Sequence, residues 1–166
     1  MAMSTLLLVT LFATTTHAQD DKANRPSPPA EATGHIGKAD IKISYSSPAV
    51  KGRKIWGDLV PYNAVWRTGA NEATVFETSA DIMVNGSKLP AGKYGLFTIP
   101  GENSWTVIFN EVWNQWGAFS YDASKDVLRV TATPGTGDFH ERMMFMIEGN
   151  QVVFAWENLR LPLTVQ

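Results

Sequence analysis

The chain's 166 residues suffice for one domain of ordinary size and barely for two. Its 44% hydrophobic and 18% charged composition excludes a disordered or fibrous protein, and a formal net charge of −2 argues against nucleic-acid binding through bulk charge. The absence of cysteine removes disulfides, thiolate zinc sites, cysteine nucleophiles and the lipidated cysteine of a lipoprotein, and leaves six tryptophans as the distinctive feature.

In chain order, Met1 to Ala18 reads as a secretory signal. The apolar run Leu6-Leu7-Leu8-Val9-Thr10-Leu11-Phe12-Ala13 is too short to cross a bilayer and is followed by Thr16-His17-Ala18. No later stretch approaches the length of a membrane span. The expectation is therefore a secreted or periplasmic protein, soluble once the signal is removed and not a lipoprotein. Residues 19–33 carry Pro26, Pro28 and Pro29 without a periodic apolar face, the composition of a disordered linker. A single domain is expected over 34–166.

From Asp40 onward the pattern has period two. Ile41, Ile43 and Tyr45 alternate with Lys42 and Ser44. Ile82 and Val84 lead into Asn85-Gly86, the pair favoured by a type I′ hairpin. Tyr94, Leu96 and Thr98 share one face of the next strand, with Phe97 and Ile99 on the other. Trp105, Val107 and Phe109 then alternate, and further strands follow at 128–133, 139–147 and 152–156, with Leu159, Leu161, Leu163 and Val165 closing the chain. Short strands at this spacing predict an all-β antiparallel sandwich, jelly-roll or Greek-key-like. One short helical turn is expected near 55–65.

Two segments break the rhythm, and long irregular segments in a small domain are favoured places for function. The first, Gly52 to Asn71, follows a basic run in which Lys51, Arg53 and Lys54 surround Gly52. That run is either a solvated loop or an anion-binding one, since arginine offers a planar donor fork and glycine admits a close approach. Arg67 and Glu72 flank Gly69 and either brace that turn as an ion pair or face a cleft together with Asn71. The second segment, Glu111 to Lys125, holds Trp113-Asn114-Gln115-Trp116-Gly117-Ala118-Phe119. Its indoles either form a stacking platform beside amides, an arrangement suited to sugar rings, or plug the end of the sandwich.

Catalytic signatures are sparse. Beyond the signal only His35 and His140 remain, with no partner at metal-ligand spacing, and no Gly-x-Ser-x-Gly elbow occurs. Neither a metal nor a cofactor is expected. Glu72, Glu157, Asp58 and Asp122 are the carboxylates available for hydrolysis.

The strings Tyr45-Ser46-Ser47-Pro48-Ala49-Val50-Lys51-Gly52-Arg53-Lys54-Ile55-Trp56-Gly57, Val65-Trp66-Arg67-Thr68-Gly69-Ala70-Asn71-Glu72-Ala73-Thr74, Leu89-Pro90-Ala91-Gly92-Lys93-Tyr94 and Asn114-Gln115-Trp116-Gly117-Ala118-Phe119 resemble the domain-of-unknown-function family 2911. The resemblance spans Gly34 to the C-terminus. It implies an exported protein of Bacteroidetes type with one compact domain, and it assigns no activity. Ser47 departs from the arginine that the family pattern usually carries there.

The leading expectation is a non-catalytic domain that binds a glycan or a small carboxylated metabolite at the cell envelope. Arg67, Asn71, Glu72, Gln115 and Trp116 would line its cleft: Trp116 stacking, Asn71 and Gln115 hydrogen-bonding, Arg67 pairing with Glu72 or with ligand charge. One alternative is a hydrolase using Glu72 as general base, which needs that carboxyl beside a second acid or a histidine. The other is a structural or assembly module of the envelope whose loops merely pack together.

Overall fold

Residues two apart in an extended chain share a face, so alternating apolar side chains bury one side of a sheet. In the structure, a computed structural model that describes residues 21–166, this rule accounts for most of the chain. The expected signal Met1–Ala18 lies outside the described residues. Six strands pair antiparallel into one sheet in the order β1 (Pro29–Ile36), β2 (Ala39–Ser46), β3 (Thr74–Thr78), β6 (Gly92–Ile99), β7 (Trp105–Asn110) and β8 (Asp126–Ala132). The hairpin β4 (Ile82–Val84) and β5 (Ser87–Leu89) is interposed between β3 and β6.

The second layer is built on β9 (Gly135–Glu148) and β10 (Gln151–Thr164), which form a long hairpin. Residues 48–50 extend it on one side, where Val50 N donates to Glu141 O at 2.8 Å and Met143 N to Pro48 O at 2.9 Å. The β4–β5 hairpin extends it on the other, through Met83 N to Gln166 O at 2.7 Å and Gln166 N to Met83 O at 3.0 Å. Asn85 and Gly86 both have positive φ, 46° and 82°, as the expected type I′ turn requires. The result is an all-β antiparallel sandwich. Its large sheet follows chain order as a meander, where Greek-key or jelly-roll crossings were a possible form of the expectation.

One boundary differs from the sequence reading. Strand β1 opens at Pro29, ahead of the boundary expected at Gly34, so the end of the expected linker is strand. Its backbone pairs with β2 from Pro29↔Ser46 to Ile36↔Ala39, and Ala32 and Ile36 are buried. A proline is tolerated there because it is the first residue of an edge strand, where no ladder donor is needed. Gly34 has a packing reason: a Cβ at that position would lie 2.8 Å from Ile147 of β9.

The helical turn expected near 55–65 is absent. Val60 N donates to Ile55 O at 2.9 Å and Gly57 N to Val60 O at 2.9 Å, closing a turn that Gly57 enters with φ of 78°. A helix needs an uninterrupted run of right-handed residues, which Gly57 and Pro61 deny. Within the two irregular segments, helical structure is confined to a 3₁₀ turn at Ala123–Lys125, in the second.

The core lies between the layers. Ile41 and Ile43 from β2, Phe76 from β3, Leu96 from β6, Phe109 from β7 and Leu161 from β10 all join it, each buried. Its centre is aromatic. Trp105 of β7 and Trp156 of β10 are each 1% exposed and meet Trp56 and Trp66 from the first irregular segment. Trp56 lies 5.1 Å from Trp105 and 5.8 Å from Trp156 between ring centroids, both edge-on, while Trp66 stacks on Trp156 at 6.1 Å. A smaller cluster of Ala73, Phe97 and Ile108 lies on the opposite face of β6 and β7, covered by Val65, Ala118 and Tyr121 from the two irregular segments.

Trp105→Ala removes the indole that Trp56, Trp66 and Phe154 all pack against. It is expected to cost about 3–5 kcal/mol, measured by urea unfolding. A loss below about 1 kcal/mol would show that the cluster is not a keystone of the fold.

Candidate functional site

The two irregular segments meet over one face of β6 and β7, where Val65, Ala118 and Tyr121 pack against Phe97 and Ile108. Trp66 pairs with Thr98 of β6 through Trp66 N to Thr98 O at 2.8 Å and Thr98 N to Trp66 O at 2.9 Å, which fixes the position of Arg67. The chain then reverses at Thr68, whose φ is 54°. That conformation is strained for a β-branched residue, and surrounding bonds hold it. Thr68 is 1% exposed, its hydroxyl lies 3.0 Å from the Thr98 hydroxyl, and its carbonyl accepts from the Thr74 hydroxyl at 2.7 Å.

Beyond this turn the two segments join by backbone pairing. Ala73 N donates to Gln115 O and Gly117 N to Asn71 O, both at 3.0 Å, with Glu72 opposite Trp116. The second segment is braced from below by the fully buried Asn110. Its amide donates to Asp126 Oδ1 at 2.8 Å and to Asp122 O at 2.9 Å, while its Oδ1 accepts from Val112 N at 2.9 Å. Tyr121 donates to Asp126 Oδ2 at 2.6 Å and accepts from Arg129 at 2.9 Å. Burial, helped by the hydrogen bond to Asp126, pushes the Tyr121 phenol up to about 12.

Four of the five sequence-predicted residues, Asn71, Glu72, Gln115 and Trp116, are thus neighbours. Most of their polar groups are nevertheless spent within the chain, although among the described residues Gln115 Oε1 is buried without a hydrogen-bond partner. Asn71 Nδ2 donates to Ser27 O at 3.1 Å, and Gln115 Nε2 to Val112 O at 2.7 Å. The Glu72 carboxylate does not pair with Arg67. It accepts two bonds from Arg25 Nη1, at 3.0 and 2.9 Å, and lies 3.2 Å from Lys22 Nζ. Both cations come from the segment that precedes β1, so this acidic residue straps the N-terminal chain down. Burial pushes the Glu72 carboxyl upward, but bonds from its own backbone N–H, Arg25 and Lys22 outweigh that effect and hold it below its ordinary range. Arg25 also sits 5.8 Å from the Trp116 ring, and Lys93 Nζ sits 3.9 Å from that of Trp113.

Arg67 stands apart from these four. It lines a cleft of about 640 Å³ whose walls include Arg53, Leu59, Trp66, Phe119 and Trp156. None of the other four predicted residues lines it. Among the described residues Arg67 forms no ion pair, its Nε is buried without a hydrogen-bond partner, and desolvation lowers its pKa. Arg53 is held rigid by its own loop, donating Nε to Val50 O at 3.0 Å and Nη2 to Ala49 O at 2.6 Å. No acidic side chain of the described residues lines the cleft.

The sequence carried signals for the residues outside the predicted set. Arg53 belongs to the basic run at 51–54 and Phe119 ends the tryptophan-rich string. Trp66 lies in the first irregular segment, whereas Trp156 reads as a core residue of a strand; both serve the core and the cleft wall at once. Among the described residues no three His, Asp or Glu side chains are placed to hold a metal ion, and no helix is long and apolar enough to cross a membrane.

A family profile described as Protein of unknown function (DUF2911) matches residues 27–165, and the chain belongs to that family. No curated protein and no solved structure matches it.

Two titrations test this electrostatic layout. A carboxyl whose folded pKa is depressed contributes stability at neutral pH that disappears as pH falls through its titration. Glu72→Gln is therefore expected to cost less than about 1 kcal/mol at neutral pH, since the pair is partly exposed. Urea unfolding at decreasing pH should show the gap to wild type closing below the ordinary glutamate range; a gap that does not change with pH would exclude the charge of Glu72 as its source. A phenol whose folded pKa is raised contributes below its ordinary value near 10 and loses that contribution as pH rises towards 12. Tyr121→Phe should accordingly lose less stability than wild type across that alkaline interval, and should remove the last tyrosinate transition in an absorbance titration.

Proposed function

We propose that this member of the DUF2911 family is an exported, non-catalytic binding domain of the cell envelope, and that it takes a small carboxylated molecule into the cleft beside Arg67. One observation carries the reading: a guanidinium partly withdrawn from water, with a buried N–H that nothing among the described residues accepts, in the wall of a cleft that none of their acidic side chains lines. Buried donors left unpaired are costly, and a charged group without a partner more so. A carboxylate supplies both the missing charge and a planar pair of acceptors that fits the arginine fork. The strained Thr68, directly after Arg67, fits the same reading, because strain of this kind gathers at sites of function.

The glycan reading has less support. Asn71 and Gln115, the amides expected to meet sugar hydroxyls, donate instead to backbone carbonyls. Hydrolysis through Glu72 also has little support. A carboxylate held by Arg25 and Lys22, with its pKa lowered, is a weak base. The role that suits Asn71, Glu72, Gln115 and Trp116 is bracing: they lock the two irregular segments together and keep the cleft in shape.

The test compares wild type with Arg67→Met in thermal shift against hydrocinnamate, octanoate and galacturonate. Removing an unpaired, desolvated charge should leave the free variant as stable as wild type or more so. At least one carboxylate should raise the melting temperature of wild type saturably and leave the variant unmoved. Equal shifts in both proteins, or no shift from any of the three, would overturn the proposal.

A further inference from the structure

Resting on the binding reading above, we infer that the cleft selects a carboxylate borne on an apolar body, aryl or alkyl, and rejects polyhydroxylated acids. The inference comes from the balance of donors and acceptors on its walls. The charged and amide-type side chains among the lining residues are Arg53 and Arg67 alone, and both only donate. Among the described residues the single lining hydroxyl is that of Ser27, and no Asp, Glu, Asn or Gln side chain lines the cleft to accept. A carboxylate is acceptor-only and complements such a wall. A sugar acid brings a hydroxyl donor on almost every carbon, and its donors would lose water without gaining side-chain partners.

The rest of the cleft is apolar. Leu59, Val65, Trp66 and Trp156 line it, and Phe119 stands at its edge with 91% of its surface exposed. Leu59 is 44% exposed. Hydrophobic side chains so exposed around a concave site gain by covering a ligand's apolar body, and they offer nothing to hydroxyls. Gly117, with φ of 64°, sets the turn that brings Phe119 to this position.

Trp66 and Trp156 are in the cleft wall, so intrinsic fluorescence reads occupancy directly. Wild-type protein is titrated with hydrocinnamate, octanoate, galacturonate and the neutral amide hydrocinnamide. The expected result is that hydrocinnamate or octanoate binds at least about tenfold tighter than galacturonate, and that hydrocinnamate binds at least about tenfold tighter than its amide, a step of one decade in Kd. The tighter of the two apolar acids identifies the aryl or alkyl body. Phe119→Ser, at a position that contributes little to the fold because it is so exposed, should weaken the apolar acids severalfold and leave galacturonate unchanged.

Galacturonate binding as tightly as the apolar acids overturns this inference and leaves the binding proposal standing. Hydrocinnamide matching hydrocinnamate, or apolar acids binding Arg67→Met as well as wild type, overturns the proposal that Arg67 receives a carboxylate. The two failures are therefore separable.

Discussion

The fold and its cleft both depend on two indoles that leave an irregular segment and enter the core. Trp56 and Trp66 wedge between Trp105 of the large sheet and Trp156 of the hairpin layer, so a loop without regular structure is anchored as firmly as a strand. The burial of four large aromatic surfaces in one place is worth several kcal/mol, of the order of 1.5–3 for each large side chain taken from water. That stabilisation offsets local costs. The Nε1 donors of Trp56, Trp105 and Trp156 are buried without acceptors, and Thr68 is held in a backbone conformation its branched side chain resists. The anchored segment places Arg67 immediately after Trp66, so the same cluster that closes the core aims a cation at the cleft.

Charge is sorted to match. Glu72, the acid nearest to Arg67 in sequence, is drawn away by Arg25 and Lys22 from the N-terminal segment. Had it paired with Arg67, the cleft would hold a neutralised arginine with no use for an anion. Asp126 is likewise occupied by Asn110, Tyr121 and Arg129. Acidic groups around the two irregular segments thus brace the scaffold, and the guanidiniums of Arg53 and Arg67 are left without carboxylate partners among the described residues. Such segregation costs stability, since an unpaired desolvated cation is a poor way to hold a protein together. A ligand-binding role gives that cost a purpose.

Period-two alternation made the strands legible, from Ile41 and Ile43 through Trp105, Val107 and Phe109, and Asn85-Gly86 announced its turn because only such pairs accept two positive φ values. The errors share a physical cause. Pro29 to Thr33 reads as linker when taken alone, because its pairing partner, β2, is what makes it strand. Ile55, Leu59 and Val60 have helical spacing, but the buried Ile55 and Val60 are pinned by tertiary packing around a turn that Gly57 permits. The tryptophans divide differently from their segments. Trp56 and Trp66 belong with the strand residues Trp105 and Trp156 in the core, and the surface indoles are Trp113 and Trp116, 38% and 58% exposed.

The site was half legible for the same reason. Strings at 65–74 and 114–119 pointed to two segments, and those segments do meet, at Glu72 and Trp116. Residue type alone could not tell which polar groups remain available after folding. An asparagine, a glutamine and a glutamate beside an indole suit a ligand until Ser27 and Val112 take the two amide N–H donors and Arg25 the carboxylate, and Arg25 lies 47 positions from Glu72. Under the proposed reading, what marks the binding residue is the charged donor left over at a cleft once internal pairings have been made. By that criterion the cleft belongs to Arg67, with Arg53 beside it and Trp66, Trp156 and Phe119 as its apolar wall. A charged donor left unused in the wall of a cleft is a stronger pointer to a ligand than the presence of suitable residue types.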